Sequence, residues 1–380
     1  MEKVVLLRIS GEITIKTPSV VGYWLTKLVK NIKKRFLRKE IDIRKVESRG
    51  GRIFIESDSP EDAMREAARI FGVKESILAM RVDSNIDDIV VAALEITRDW
   101  VGTFAVRTSR TKFPLTSLEV NRIVGEKILE SNKNLSVSLS NPEKILRIEI
   151  REEHAYIHIK SVLGFGGLPY DVSGKGVALV SGGIDSALAS WLMMKRGMRI
   201  VVVHADLSPY YTSLARNRFL EVRDWLSDWV PSGRLKTYIV PIGEIHTNVK
   251  LPAKRYRCVF CKMLMLKIAE VIANREKAHA IITGETLSQV ASQTASNMRT
   301  ISSVVRLPIL RPLIWMDKDE IDHFAQKIGL YSLVARDVGK CGLVPKRPTV
   351  DVEEDIAGEI RNIISKKMLR DVIMRAEKIF

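Results

Sequence analysis

The sequence predicts an α/β protein: a doubly wound parallel sheet in its C-terminal half, preceded by an α+β region. Three observations carry this. First, the apolar run Val177-Ala178-Leu179-Val180 stops at Ser181-Gly182-Gly183 and passes into a helical pattern from Asp185 onward, which reads as a buried parallel strand, a tight turn and a helix start. Second, strand and helix patterns alternate from there to about residue 328. Third, residues 164–176 are dense in Gly and form a natural linker, with no such regular alternation upstream of it.

In chain order, residues 4–9 read as a strand and Ser10-Gly11-Glu12 as a turn. Residues 20–37 have helical spacing with a basic face of Lys27, Lys30, Lys33, Lys34, Arg35 and Arg38. Residues 41–43 and 52–55 look like two strands separated by Arg49-Gly50-Gly51. Ser59 is placed to cap a helix that Pro60 opens and Gly72 ends. A strand at 77–80, a helix at 85–100, an edge-type strand at 103–108 and a helix at 117–130 follow. Strands at 137–139, 146–150 and 155–159 complete this region. Beyond the linker, strands are expected at 176–180, 200–204, 236–241, 278–283 and 307–313. Helices are expected at 186–196, 213–229, 260–275, 287–297 and 318–328, the last opened by an Asp317/Glu320 capping box.

Composition narrows the class of function. The chain has 380 residues and a formal charge of +16, which suits an anionic partner and points to nucleic acid. No apolar run is long enough to span a bilayer. Met1-Glu2-Lys3-Val4 runs straight into a strand pattern without a signal-peptide layout, so a cytoplasmic protein is expected. Three cysteines are too few for a disulfide framework and suggest chemistry or metal binding.

The turn at Ser181-Gly182-Gly183 aims backbone N–H groups at one point where the helix dipole also favours an anion, so it is a phosphate site. It lacks the Walker pattern. Ser-Gly-Gly-Ile-Asp-Ser instead resembles the PP-loop of ATP pyrophosphatases. Ser181, Gly182, Gly183 and Ser186 are the expected phosphate ligands. Asp185 is expected either to hold Mg²⁺ with the phosphates or to orient the helix start. Cys258 and Cys261 have C-x-x-C spacing just before a predicted helix, and Cys341 lies in a Gly/Pro-bounded loop. Buried structural thiols, a redox pair, a metal site and a cluster site are all compatible with this spacing.

Taken together, these stretches resemble the archaeal-type 4-thiouridine synthetases, the tRNA uracil 4-sulfurtransferase family. Gly11-Glu12-Ile13 with Lys16, the Gly-Gly-Leu-Pro linker, Thr283 to Thr294, Leu310 to Lys318 and Lys340-Cys341-Gly342 through Pro348 are similar to the family's stretches in order. The resemblance implies an N-terminal ferredoxin-like domain (1–58), a THUMP RNA-binding domain (59–162), a linker (163–175) and a PP-loop catalytic domain (176–380). It implies transfer of sulfur to a tRNA uridine, position 8, through an adenylated uracil, and a homodimer in the cytoplasm. Bacterial members often add a rhodanese domain and usually lack the C-x-x-C pair, whereas this sequence has the pair and shows no such domain up to Phe380.

The fold implied by the resemblance places adenine beside the strand ends, at Ala178, Leu179, His204 and Ala205; His204 read alone is as well explained as a satisfied strand-end histidine. Gly284, which lets backbone approach a ligand, Gln293 on the following helix and Lys262 match the family's nucleotide-contacting positions. Asp185 and Cys341 match its residues for adenylation and sulfur handling. Related cluster-bearing thiolation enzymes imply a [4Fe–4S] cluster on Cys258, Cys261 and Cys341, with one iron open to sulfide; the rival is a persulfide on Cys341 with the C-x-x-C pair as reductant. The sulfur donor would be sulfide or a persulfide carrier. The basic helix, Arg107, Arg110 and Lys112 are the expected RNA contacts. A 2-thiouridine-forming enzyme and a non-catalytic RNA-binding adaptor are the alternatives. The THUMP-like half argues against the first and the intact Ser-Gly-Gly-Ile-Asp-Ser against the second.

Overall fold

The computed structural model describes residues 2–339 and 341–380; Lys340 of the C-terminal motif lies outside them. The chain divides into two compact units, residues 1–167 and 168–380. No helix among the described residues is long and apolar enough to cross a membrane.

The first unit is one eight-stranded sheet in the order β2-β3-β1-β4-β8-β7-β5-β6. Its strands are β1 (Glu2–Ile9), β2 (Lys45–Arg49), β3 (Arg52–Glu56), β4 (Val73–Asp83), β5 (Gly102–Arg110), β6 (Leu135–Val137), β7 (Lys144–Ile150) and β8 (His154–Leu163). The run Val4-Val5-Leu6-Leu7 is buried on both faces, and β1 lies between β3 and β4, pairing antiparallel with each. No break in the sheet marks residue 58, since β4 joins the first strands directly to β8. The helices are α1 (Gly11–Thr14), α2 (Pro18–Arg38), α3 (Pro60–Ala68), α4 (Ile86–Thr97) and α5 (Ser117–Ser131). Asn85 caps α4 and a Thr116/Glu119 box opens α5. Their apolar stripes form the core with the sheet, with Ile89, Val120, Val124 and Ile128 packed on Phe104 and Ile148.

Several local expectations are corrected. Ser10-Gly11-Glu12 enters the helical turn α1. Ser59 makes no side-chain cap on α3, though Pro60 does open it. Residues 41–43 form no strand. Ile41 is buried because α2 ends in a Schellman motif: Glu40 takes φ 55° and the Ile41 N–H donates to the Phe36 carbonyl (3.0 Å). The strand is Lys45–Arg49 instead, joined to β3 by Gly50 and Gly51, both at positive φ as a two-residue hairpin of this hand requires. β5 is not an edge strand, because β6 pairs outside it. Arg35 is not part of a solvated basic face: it is 1% exposed and its Nε donates to Glu66 (2.8 Å). Of the other expected RNA contacts, Arg107 donates to the Leu139 carbonyl, Arg110 donates to the Phe113 carbonyl, and Lys112 pairs with Glu152.

The second unit has a six-stranded sheet in the order β13-β12-β9-β10-β11-β14. Its strands are β9 (Lys175–Leu179), β10 (Arg199–Asp206), β11 (Thr237–Pro241), β12 (Ala280–Ile282), β13 (Ile309–Leu310) and β14 (Glu377–Ile379). Five are parallel; β14, which the sequence pattern does not announce, runs antiparallel on β11. Its helices are α6 (Ile184–Lys195), α7 (Ser213–Trp229), α8 (Gly243–Asn248), α9 (Arg257–Glu276), α10 (Ala295–Ser302), α11 (Lys318–Lys327), α12 (Tyr331–Val334), α13 (Glu354–Ile363) and α14 (Lys366–Met374). Val177, Val201 and Val240 pack with α9, α13 and α14 in one core cluster. Trp191 of α6 meets Trp229 of α7 and Phe324 of α11 edge-on. The sheet is thus wound on both sides. The capping box of Asp317 and Glu320 is present.

Candidate active site

The chain leaves β9 to α6 and β10 on one side, then returns through α9 to β12 on the other side of β9. Such a switch point opens a crevice at the carboxyl ends of the strands. A cavity of about 460 Å³ lies there, walled by the loops after β9, β10 and β12.

The turn after β9 is held by its own side chains. The Ser181 N–H donates to Ser186 Oγ (3.1 Å), and Ser186 Oγ donates to the Gly183 carbonyl (3.1 Å). The Ser186 hydroxyl therefore braces the loop. No side chain caps α6, whose cap residue is Gly183, so N-capping does not account for Asp185 at the second helical position. Asp185 lines the cavity. Burial pushes its carboxyl above the usual range, Asp322 pushes the same way and Lys318 opposes them.

Two glycines fix the loop from opposite sides. Gly182 takes φ +88° and a Cβ on it would lie 2.9 Å from the Phe219 Cα. A Cβ on Gly284 would lie 2.5 Å from the Asp185 carbonyl carbon and 2.6 Å from the Ser186 nitrogen. Gly284 thus lets the loop after β12 pack on the first turn of α6, a closer reason for glycine than approach to a ligand. His204 is 4% exposed, its Nδ1 hydrogen-bonds the Val180 carbonyl oxygen (2.9 Å), and its ring stacks on Phe219 at 3.8 Å. It is a satisfied strand-end histidine that also forms part of the cavity wall.

Leu179, Ser181, Gly183 and Ala205 line the cavity as expected, as do Lys262, Gly284 and Gln293. Ala178 and Gly182 do not; Ala178 is wholly buried within the sheet. Residues 287–290 are not helical. Gln293 ends the 3₁₀ turn Ala291–Gln293 ahead of α10, and its Oε1 is buried without a hydrogen-bond partner. An orphan acceptor on a cavity wall is poised for a donor on a ligand.

Sequence reasoning missed Glu285. Its carboxylate accepts from Lys262 Nζ (2.9 Å), Arg311 Nε (2.7 Å) and Thr283 Oγ1 (3.1 Å). Burial would raise its pKa, but Lys262 and Arg311 outweigh that and hold it below the usual carboxylate range. The signal available was its place beside Gly284 at a strand end, where charged groups need partners.

All three cysteines reach the same cavity. Cys258 and Cys261 lie in the first turns of α9 rather than ahead of it. All are free thiols. Burial pushes Cys258 up and drives Cys261 to about 12, with Cys341 adding to both shifts. No three His, Cys, Asp or Glu side chains among the described residues stand close enough to hold a single metal ion. Three thiols on one cavity wall are a soft donor set suited to a cluster larger than one ion.

Comparison with known proteins accords with this arrangement. The family described as Thiamine biosynthesis protein (ThiI) matches residues 171–365, a THUMP domain matches 83–160 and a ThiI ferredoxin-like domain matches 4–76. A probable tRNA sulfurtransferase of Thermoanaerobacter pseudethanolicus is 37% identical over 364 residues, covering 93% of each chain. The chain belongs to the tRNA sulfurtransferase family. A second probable member, from Methanosarcina mazei, is 34% identical over 373 residues, covering 94% of this chain and 92% of its own. A crystal structure of a 4-thiouridine synthetase–RNA complex with bound ATP superimposes with TM-score 0.88 at 27% identity, covering 100% of this chain and 99% of that one. PH1313 from Pyrococcus horikoshii shares the fold, with TM-score 0.69, 24% identity and coverage of 86% and 100%. The resemblance read from the sequence, and the ferredoxin-like, THUMP and PP-loop fold it implied, are borne out.

Proposed function

We propose that this chain is an ATP-dependent tRNA 4-sulfurtransferase, converting uridine 8 to 4-thiouridine. The observation that carries this is a single cavity lined by the braced Ser-Gly-Gly loop, Asp185 and all three cysteines of the chain. Membership of the sulfurtransferase family supports it, as does the likeness to a synthetase bound to RNA and ATP.

Uridine O4 is a poor leaving group. Its attack on the α-phosphorus of ATP releases pyrophosphate and leaves an adenylated uracil, from which sulfur displaces AMP. The start of α6, whose first turn has no side-chain cap, suits the departing pyrophosphate, with the Ser181–Gly183 loop held in shape beside it by its own hydrogen bonds. Asp185 takes the Mg²⁺ that accompanies ATP, and Lys262, anchored by Glu285, adds positive charge. The Gln293 Oε1 accepts from the nucleotide, and Leu179 and Ala205 offer apolar wall to the adenine. RNA is met by the THUMP region within 59–162 and by basic surface, with the target base turned out of its stack.

Cys258, Cys261 and Cys341 are the residues to hold a [4Fe–4S] cluster. When bound, it would supply an open iron as Lewis acid and sulfur carrier. Without it, a buried Cys261 thiol at about 12 is a weak nucleophile. The sulfur donor is sulfide or a persulfide carrier. The enzyme works in the cytoplasm, where thiols stay reduced, as a homodimer whose mass light scattering would read.

The test is mass spectrometry of nucleosides from tRNA incubated with ATP, sulfide and anaerobically purified protein. We expect 4-thiouridine at position 8, lost with Asp185→Ala while tRNA binding persists. Unmodified tRNA from the intact protein would overturn the proposal. Roughly four irons per chain are expected, as three-cysteine cluster ligation requires; an iron-free protein that is active when a persulfide carrier replaces sulfide would place the sulfur on Cys341 instead, passed from the carrier by thiol exchange, with the C-x-x-C pair supplying the two electrons for its release.

A further inference from the structure

Residues 336–339 and 341–351 are tied down at both ends within the catalytic unit. On one side Arg218 Nη1 donates to the Arg336 carbonyl (3.0 Å), Thr212 Oγ1 to the Val338 carbonyl (2.9 Å) and the Gly342 N–H to the Tyr210 carbonyl (3.0 Å). On the other, Asn297 Nδ2 donates to the Thr349 carbonyl (3.0 Å), Thr294 Oγ1 to the Val350 carbonyl (2.6 Å), and Ser296 bonds Asp351. Along this stretch Cys341, Val344 and Pro348 line the cavity. Lys346 and Arg347 sit between Val344 and Pro348, yet both are exposed and neither has an ion pair among the described residues. The Thr349 N–H donates to the Arg255 carbonyl (3.3 Å), which brings exposed Lys254 and Arg255 alongside.

Two cations with no counter-ion, presented at the rim of a catalytic cavity, suit an anion that runs past that rim. Pro345 and Pro348 bracket them. Proline fixes its own φ and holds the preceding residue extended, so little ordering remains to be done on binding. The proposed function puts the phosphates of ATP on the Ser-Gly-Gly loop, whose Ser181 and Gly183 line the same cavity, which leaves these two cations free for another anion.

We infer that Lys346 and Arg347 take phosphates of the RNA strand flanking the target nucleotide, so that the segment bearing Cys341 is itself an RNA contact. This rests on the sulfurtransferase reading and adds a binding site for RNA within the catalytic unit. Because the same segment carries Cys341, RNA bound at the rim would be held in register with the sulfur-handling wall.

The experiment is anisotropy of labelled tRNA titrated with the full chain at several salt concentrations. The intact protein is compared with Lys346→Gln/Arg347→Gln, and ATP affinity is measured by calorimetry on both. Removing one cation that neutralises a phosphate makes the log K against log salt slope shallower by about 1, so a change of about 2 is expected with ATP affinity within twofold. An unchanged slope overturns the inference. So does weaker ATP binding with an unchanged slope, which would assign the cations to ATP. Both residues are exposed, so folding is not at stake, and matching melting curves would verify this. Formation of 4-thiouridine by the intact protein is scored separately, so failure of the functional reading is told apart from failure of this one.

Discussion

Gly284→Ala is the substitution whose effect follows most directly from geometry. The new Cβ would lie 2.5 Å from the Asp185 carbonyl carbon, where ordinary contact begins at 3.4 Å, so something must move by roughly 0.5–0.9 Å. The atoms in the way are backbone, and no rotamer change relieves them. Nor can the phosphate loop retreat freely, because Gly182 packs so close to Phe219 that a Cβ there would lie 2.9 Å from the Phe219 Cα, and Ser186 braces the turn from within. The shift therefore falls on Asp185. Overpacking of this kind costs about 1–3 kcal/mol, or roughly 3–10 °C in melting temperature for a unit of this size. The chemical step should suffer more, since a misplacement approaching 1 Å costs about 100-fold. Pyrophosphate release in the presence of tRNA and ATP reads the rate, and calorimetry reads the melting. A variant within threefold of the parent rate and 1 °C of its melting point would refute the reasoning.

Two further outcomes follow from buried charge. Glu285→Gln keeps shape but removes the charge shared by Lys262 and Arg311, whose bonds to it are 2.9 and 2.7 Å; destabilisation of about 2–4 kcal/mol is expected. In a double-mutant cycle with Lys262→Met the two losses should fall short of additive by at least about 1 kcal/mol, and strict additivity would show that Glu285 does not act through Lys262. His158 in the first unit is held down to about 4 from its ordinary 6.5, chiefly by burial and then by Arg8. Below pH 6.5 the unfolded chain takes up a proton that the folded chain refuses until about pH 4, so stability must fall on acidification, by about 2 kcal/mol between pH 6.5 and 5. His158→Gln should flatten the melting-temperature profile in that window; an unaltered slope would mean the imidazole titrates normally.

What the sequence made legible was local or strongly periodic. The strand and turn at Val177 to Gly183 could be read because a parallel strand is apolar on both faces and the glycines follow at once. The Asp317/Glu320 box spans only four residues and needs no tertiary contact. Illegible features depended on distant partners. β2 reads Lys-Val-Glu-Ser-Arg and has no apolar face, because an edge strand needs none; its hairpin with β3 defines it. Arg35 looked solvated because its partner, Glu66, lies 31 residues away. Glu285 gathers cations from 23 residues before it and 26 after. The reason for glycine at 284 was invisible for the same cause: its neighbour is Asp185, distant in sequence, in the first turn of α6 after the adjacent strand β9.

The strand order also sets a schedule for synthesis. β4 carries eleven residues, and its two edges are filled by β1, made before it, and by β8, which ends at Leu163. From the moment β4 leaves the ribosome until residue 163 follows, one of its edges has no native partner. The catalytic sheet waits longer still, since β14 at residues 377–379 closes its outer edge on β11. Each unit is finished only by its last strand, so the chain spends nearly all of its synthesis with an unfinished sheet, the state most exposed to pairing with a neighbour.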